Sequence, residues 1–294
     1  MLSKLLYHLI IKPISLLPFW LIYRISDVVF FILYYFVGYR KKVVYGNIQR
    51  SFPEKTPKEI KSIMFKFYRH FCDLILESIK GFSISSAEAQ KRMGSINVDI
   101  INQFGQEGKD VVLIGGHYGN WELFAVAVGP TINIKPIALF TPLANKFFDQ
   151  KVKASRSRFG LNLLPSVKVR ELMAEKTEEK RMIIFGSDQS PRKGQRAYWM
   201  KFLNQETGVQ FGAEKFAKEH NCAVVYGHIR RLKRGHFQIE YQAICEDASQ
   251  TAYGEITQKH TLLLEKEIIK EPAYWLWSHK RWKHTRPEGE VLND

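Results

Sequence analysis

DVVLIGGHYGNWELFAVAVGP, residues Asp110–Pro130, is the stretch of sequence that decides the fold. Its first part, Val111–Ile114, is short, apolar and rich in β-branched residues, which predicts a buried strand. Two glycines then allow the backbone to turn tightly. Asn120 is a favoured helix N-cap, so the sequence predicts a short helix over 121–128 that ends at the following Gly-Pro pair. The stretch therefore predicts a strand, a loop and a helix in succession.

His117 lies on the loop that follows this strand, and Glu122 lies in the first turn of the helix. In open α/β sheets, ligands bind at the carboxyl ends of strands. On one continuous helix the two side chains would point roughly 140° apart, whereas a loop allows the histidine to fold back toward the glutamate. A carboxylate on one imidazole nitrogen leaves the other nitrogen free to take a proton from a hydroxyl. The spacing therefore predicts a general-base pair or, alternatively, a structural histidine capped by a glutamate.

The composition favours an acidic partner. Among 294 residues, 44 Lys and Arg stand against 29 Asp and Glu, which gives a net charge of +15. Nucleic acid, anionic lipid or an acidic protein would each suit that charge. An aromatic content of 13% fits a membrane interface better than DNA, and no basic recognition helix is evident, so a non-catalytic or nucleic-acid-binding protein is disfavoured. The three cysteines are far apart, which argues against a disulfide framework or a zinc site.

The N-terminal segment is the most apolar part of the chain. Between Ile14 and Val37 only Arg24 and Asp27 are charged, and the basic run 40–42 follows. We expect residues 1–40 to form a membrane anchor that either spans the bilayer or lies in its interface. The alternative is an apolar helix packed on a soluble domain.

Helical periodicity extends over 58–80, where His70, Asp73 and Glu77 share one face. Such a face could be half of a metal site, but the sequence offers no second half, so a polar support for the active site is preferred. A second helix is expected over 208–220.

Three further residues are candidate substrate-binding residues. Arg156 and Arg158 precede Gly160, and their guanidinium groups suit phosphate oxygens, but the residues alone favour a solvated basic face. Asp188 follows a second apolar strand, at the carboxyl end where sites form. Near the C-terminus, three tryptophans lie beside four cations, which indicates either a lipid-facing surface or a structural aromatic cap.

Four of these motifs, in order, resemble those of one family, the lipid A biosynthesis lauroyl/myristoyl acyltransferases of the lysophospholipid acyltransferase group. GGHYGNWE (115–122) is similar to the H-x4-D/E motif of that group. The stretch 156–160 is similar to R-x-R-x-G, the stretch 187–189 to a strand-end D-Q block, and YWLWSHKRWK (274–283) to a C-terminal W-x-W-x-H-R-R-W/F-K signature.

The resemblance implies an α/β fold in which helices flank a mixed central sheet, with 41–294 as the acyltransferase domain. It implies an enzyme on the cytoplasmic face of the inner membrane of a Gram-negative bacterium. The enzyme would move an acyl chain from acyl carrier protein to a hydroxyl of a lipid A precursor, with no cofactor, no metal and no nucleic acid. An amino-acid lipid or a lysophospholipid is the alternative acceptor.

The resemblance also implies roles for individual residues. His117 would be the general base and Glu122 its partner. Arg156 and Arg158 would bind substrate phosphate, and Asp188 would shape the site. Either the backbone N–H groups at the start of the Asn120-capped helix or a nearby arginine could stabilise the oxyanion.

Overall fold

A sheet of seven strands forms the centre of the computed structural model, which describes residues 2–174, 177–192 and 194–293. In chain order the strands of this part of the chain are β1 (Met93–Ile96), β2 (Val111–Gly115), β3 (Lys135–Phe140), β4 (Asn162–Pro165), β5 (Arg181–Gly186), β6 (Ala197–Phe202), β7 (Gln205–Gln210), β8 (Ala223–Lys233) and β9 (His236–Cys245). The sheet order is β1-β9-β8-β2-β5-β3-β4, and β6 pairs with β7 in a separate hairpin. Every neighbouring pair in the sheet is parallel except β8 with β9.

The helices flank this sheet. In the described residues the α-helices are α1 (Leu2–Leu6), α2 (Lys12–Leu16), α3 (Phe19–Phe31), α4 (Lys41–Ser51), α5 (Pro57–Lys80), α6 (Ser86–Arg92), α7 (Asp99–Gln106), α8 (Trp121–Ala127), α9 (Lys146–Arg156), α10 (Val169–Ala174), α11 (Gly212–Glu219) and α12 (Glu255–Lys270). A π-helix, Tyr7–Ile11, joins α1 to α2, and a second, Ile32–Val37, continues α3. The predicted α/β fold with a mixed central sheet is therefore confirmed. The helix expected over 208–220 is partly wrong, because 205–210 pair as strand β7 and the helix begins only at Gly212.

Strand β2 is buried on both faces. Val111 and Leu113 pack with α8 on one side, whereas Val112 and Ile114 pack with α11 on the other. A strand covered on both faces needs a continuous apolar run rather than alternation, which is why this segment was recognisable in the sequence.

The chain leaves β2 and β5 on opposite faces of the sheet, although the two strands are direct neighbours. From β2 it passes through α8 to β3, and from β5 it passes through the β6–β7 hairpin and α11 to β8. The apolar side chains of α8 and α11 belong to different core clusters on the two faces. A crevice opens at the carboxyl ends of two strands whose connections diverge in this way.

The N-terminal helices lie along the domain. In α3 the inner side chains Ile22, Ser26 and Phe30 are buried, while large apolar side chains such as Trp20 and Phe31 are exposed on the outer side. Among the described residues one helical stretch, Phe19–Val37, has the length and composition of a membrane span, with a mean hydropathy of 1.6.

An ionic network joins α3 to the globular part. Arg234, at the turn between β8 and β9, donates to Asp27 of α3 at 2.7 Å and to Asp73 of α5 at 2.6 Å. Ser26 also donates to Asp73 at 2.7 Å. The inner side of α3 is therefore held by polar contacts as well as by apolar packing.

Candidate active site

The crevice between β2 and β5 brings His117 and Asp188 together. The imidazole Nδ1 lies 2.6 Å from Asp188 Oδ1, and the backbone N–H of His117 donates to Oδ2 at 2.9 Å. The indole N–H of Trp275 donates to the same Oδ2, also at 2.9 Å. The carboxylate of Asp188 is almost fully buried, whereas the imidazole remains 26% exposed. A buried carboxylate therefore fixes an imidazole that still opens to the crevice.

The charges of this pair stabilise each other. Burial acts to lower the pKa of His117, but the charge of Asp188 and the hydrogen bond to it outweigh burial and raise the pKa above its ordinary value of 6.5. Burial alone would raise the pKa of Asp188. The positive charge of His117, its two hydrogen bonds and the indole of Trp275 instead hold that pKa well below its usual range.

The tautomer of His117 follows from its partner. Because Nδ1 faces a carboxylate, Nδ1 carries the proton and the Nε2 lone pair points away from Asp188. The side-chain amide of Gln189 lies 3.4 Å from Nε2, and the ring of Trp121 meets the imidazole edge to face at 5.0 Å. In this arrangement Nε2 can accept a proton from a hydroxyl that enters the crevice.

Glu122 occupies a different place from the one its spacing suggested. Both of its carboxylate oxygens accept hydrogen bonds from Arg156, with Nη2–Oε1 at 2.6 Å and Nε–Oε2 at 3.0 Å. The helix carrying Glu122 packs against the end of α9, so the first-turn carboxylate faces a guanidinium rather than the imidazole. The expected His117–Glu122 contact is thus corrected to His117–Asp188. The charge of Glu122 still contributes to raising the pKa of His117.

Asn120 and Arg158 are engaged with the protein frame. Asn120 is fully buried and caps α8, as predicted, by accepting from the backbone N–H of Leu123 at 2.8 Å. Its amide donates to Glu77 at 2.5 Å. Arg158 is exposed and donates to the carbonyl of Gly81 at 3.2 Å. Of the residues expected to contact substrate, Arg156 lies beside the crevice. The side chain of Asn120 instead stabilises the loop that carries His117.

The model of the bacterial lipid A biosynthesis acyltransferase family matches residues 2–284. The chain belongs to this family.

Several curated relatives carry related names. The lipid A biosynthesis lauroyltransferase of Escherichia coli K12 is 22% identical, over 93% of this chain and 88% of the relative. The lipid A biosynthesis acyltransferase of Haemophilus influenzae is 20% identical, over 86% of this chain and 80% of the relative. The lipid A biosynthesis palmitoleoyltransferase of E. coli K12 is 18% identical, over 87% and 82%. The protein is therefore an acyltransferase of the lipid A type, with considerable divergence from these relatives.

Helix α5 supports the loop that carries His117, as its polar face suggested. Burial, assisted by the charge of Arg231, lowers the pKa of His70 to about 4, so the imidazole is neutral. It lies 3.0 Å from the carbonyl of Gly119, to which Nε2–H donates. Glu77, one helical turn beyond Asp73, holds Asn120. Two residues of α5, His70 and Glu77, thus hold the loop that carries His117.

The C-terminal segment, Tyr274–Leu276, closes the loop from the other side. Gly119 donates its N–H to the carbonyl of Tyr274 at 3.0 Å, and Leu276 donates to the carbonyl of His117 at 3.1 Å. Trp275 is 2% exposed and Trp277 is fully buried, so this region is a structural aromatic cap rather than a lipid-facing surface. The tryptophans indicated the cap at the level of the sequence, but no pattern indicated the contact of Trp275 with Asp188.

Proposed function

We propose that this protein transfers a fatty acyl group from the thioester of acyl carrier protein to a hydroxyl of a lipid A precursor, with His117 as the general base. The observation that carries the proposal is the buried Asp188 carboxylate on Nδ1, with Nε2 directed into a crevice at the ends of β2 and β5. Family membership supports the reaction class and the lipid A acceptor. The net charge of +15 suits an acidic carrier protein and a phosphorylated lipid.

The proposed reaction has two steps. Nε2 removes the proton of the acceptor hydroxyl while its oxygen attacks the thioester carbonyl, which forms a C–O bond and a tetrahedral oxyanion. The imidazolium is stabilised by Asp188 during this step. When the intermediate collapses, the C–S bond breaks and the imidazolium returns its proton to the departing thiolate. General-base assistance of this kind contributes about 10²–10⁴-fold to the rate.

The ion pair with Glu122 orients the positively charged guanidinium group of Arg156 beside the proposed base. The carboxylate binds Nε and Nη2 of the guanidinium, and Nη1 makes no hydrogen bond to the described residues. A planar guanidinium held in this way can offer its remaining N–H groups to a phosphate oxygen. We assign Arg156 to the phosphate of a substrate, as the sequence suggested, and Glu122 to its orientation.

The N-terminal segment, residues 1–40, is proposed as the membrane anchor of the enzyme, on the cytoplasmic face of the inner membrane. The packing of α3 on α5 and the contact between Asp27 and Arg234 favour a helix that lies in the interface, because a spanning helix would carry those charged partners into hydrocarbon. Exposed Trp20 and Tyr35 on the outer side are residue types that prefer the headgroup region.

The test is transfer of radiolabelled acyl groups from acyl carrier protein to purified lipid A precursors lacking one chain. His117→Ala is expected to abolish transfer while the protein still binds vesicles, and His236→Ala, a histidine on the distant β8–β9 hairpin, is the control. Retained turnover in His117→Ala would refute the base. Transfer to an amino-acid lipid or a lysophospholipid, with lipid A precursors unchanged, would replace the acceptor.

A further inference from the structure

A chain of hydrogen bonds connects the N-terminal helix α3 with the loop that carries His117. The phenol of Tyr23, on α3, donates to Oε1 of Glu77 on α5 at 2.8 Å. The other oxygen of the same carboxyl group, Oε2, accepts from the amide of Asn120 at 2.5 Å. Asn120 in turn accepts from the backbone N–H of Leu123 at 2.8 Å and so caps α8. Three side chains therefore connect the helix to the loop without a break.

We propose that Tyr23 is a positioning residue for acyl transfer, which acts through Glu77 and Asn120 on the loop that carries His117. The inference rests on the proposed function, because the position of this loop determines the rate only if His117 is the base. Helix α3 belongs to the segment proposed above as the membrane anchor. The anchor therefore has a second role, which is to support the site.

Asn120 lies where a small movement reaches both sides of the site. It is three residues after His117 and two residues before Glu122, which binds Arg156. Its side chain is fully buried, and its amide is held by the carboxyl group of Glu77. A displacement of about 1 Å at a reacting group can lower a rate by about 100-fold. A carboxyl group that fixes this amide therefore also fixes the proposed base.

The hydroxyl of Tyr23 suits the carboxyl group of Glu77 in both of its protonation states. Burial and the charge of Asp73 raise the pKa of Glu77 to about 7 against the opposing charge of Arg231, so both states occur near neutral pH. A phenol can donate to a carboxylate and can accept from a carboxylic acid, whereas an amide N–H can only donate. Oε2 therefore remains an acceptor for Asn120 whether or not Glu77 carries a proton.

The β8–β9 turn holds the phenol ring in place. The guanidinium of Arg234 lies over the Tyr23 ring at 4.7 Å and donates to the Tyr23 carbonyl at 3.3 Å. A Cβ atom added at Gly235 would overlap the phenol oxygen, so the backbone of the turn packs directly against it. Tyr23→Phe keeps the ring, the cation–π contact and the bond to the carbonyl, and it removes only the hydroxyl. This substitution therefore breaks the chain of hydrogen bonds while α3 stays docked.

A second hydrogen bond between the same two helices provides a matched control. Ser26, also on α3, is buried and donates to Asp73 of α5 at 2.7 Å. In the part of the chain that the structure describes, the other hydrogen bonds to Asp73 come from Arg234 at the β8–β9 turn. Ser26→Ala therefore removes one contact of α3 with α5, as Tyr23→Phe does, but it leaves the path to Asn120 intact.

The experiment compares these variants of the full chain in acyl transfer from acyl carrier protein to a lipid A precursor. Loss of a hydrogen bond to a charged group costs at least about 10-fold, so Tyr23→Phe is expected to lower kcat by about 10-fold. Its KM and its vesicle binding are expected to match the wild type, and Ser26→Ala is expected to keep the wild-type kcat. Wild-type kcat in Tyr23→Phe, or an equal loss in Ser26→Ala, would overturn this inference. If His117→Ala is inactive in the same assay, the proposed function stands in either case.

A double-mutant cycle separates action through Glu77 from a general effect on α3. Glu77→Gln replaces one of the two acceptor oxygens by a donor, so it disturbs the same chain of hydrogen bonds without changing α3. Once Glu77 is replaced, adding Tyr23→Phe is expected to change kcat by less than about 2-fold. Losses that multiply would contradict the inference. A wild-type kcat in Glu77→Gln would also contradict it, and that result does not depend on whether Tyr23→Phe folds.

Hydrogen exchange at the Leu123 amide gives a readout that needs no turnover. This N–H donates to Asn120, so it is expected to exchange faster when Asn120 loses its fixed acceptor. Faster exchange in Tyr23→Phe, together with the wild-type rate in Ser26→Ala, supports the inference. An unchanged exchange rate at Leu123 in folded Tyr23→Phe would refute it.

Discussion

Asp188→Asn is the substitution that most directly tests how the imidazole is held. In the native site the carboxylate accepts from Nδ1 at 2.6 Å, from the His117 backbone at 2.9 Å and from Trp275 at 2.9 Å. An asparagine of nearly the same shape can keep two acceptor contacts only by turning its NH₂ group toward the third donor. If that NH₂ faces Nδ1, the imidazole carries its proton on Nε2 and can no longer act as a base.

The size of the effect follows from that change of tautomer. In serine proteases the corresponding Asp-to-Asn change lowers kcat by about 10⁴-fold, and we expect a loss of about 10³–10⁴-fold here. Glu122→Gln removes charge from the Arg156 contact instead, and a hydrogen bond to a charged group is worth about 1.5–3 kcal/mol, or roughly 10- to 100-fold. Comparing the two losses of rate therefore shows which of the two carboxylates, Asp188 or Glu122, contributes more to catalysis.

The pH profile gives an independent measure. His117, as the proposed general base, must be neutral to act, so the rate is expected to rise with pH through the pKa of His117, which Asp188 raises above its ordinary value of 6.5. Removing the negative charge of Asp188 leaves burial as the main influence and lowers that pKa, so the acid limb moves to lower pH. The assay is initial-rate acyl transfer from acyl carrier protein over the range from acid to alkaline pH, with circular dichroism to verify folding. A larger loss in Glu122→Gln than in Asp188→Asn, or an acid limb that does not move, would refute this reasoning.

Three further outcomes are expected. Trp275→Phe deprives Asp188 of an indole donor, so the carboxylate holds the imidazolium more strongly and the acid limb of the rate profile moves to higher pH. Glu77, whose pKa burial and the charge of Asp73 raise to about 7, binds a proton in the folded state that the unfolded chain loses near pH ~4.3. Wild-type stability should therefore fall as pH rises from about 4.3 to 7, and thermal denaturation of Glu77→Gln should show a flatter dependence. Arg234→Met removes the partner of a buried aspartate and is expected to cost about 3 kcal/mol in the free energy of unfolding in detergent. Arg230→Met, which removes a more exposed ion pair, is its control and should cost less than about 1 kcal/mol.

The local part of the site could be predicted from the sequence. The apolar run of β2, the glycine turn and the Asn120 cap are each specified by neighbouring residues, and all three are present. The position of Asp188 at a strand end was also predictable. Its contact with His117 was not, because that contact requires β2 and β5 to be neighbours in register, and the sequence carries no pairing signal across 71 residues.

Glu122 illustrates the limit of spacing arguments. Its place in the first turn of α8 follows from the sequence, but the direction of its carboxylate depends on where the end of α9 packs. Arg156 was a candidate phosphate ligand because of its residue type and the resemblance of residues 156–160 to R-x-R-x-G. The helix predicted over 208–220 was wrong at its start for a related reason, because residues 208–210 pair with β6 and the helix begins only at Gly212.

The contact of residues 274–276 with the loop that carries His117 has a consequence for the newly made protein. These residues leave the ribosome after all strands of the sheet, and they supply both the backbone bonds to the loop and the indole on Asp188. A nascent chain can thus assemble its sheet and still lack a correctly held histidine. The sheet can therefore form before the site is complete. A chain truncated before residue 274 is expected to fold its sheet and to remain inactive.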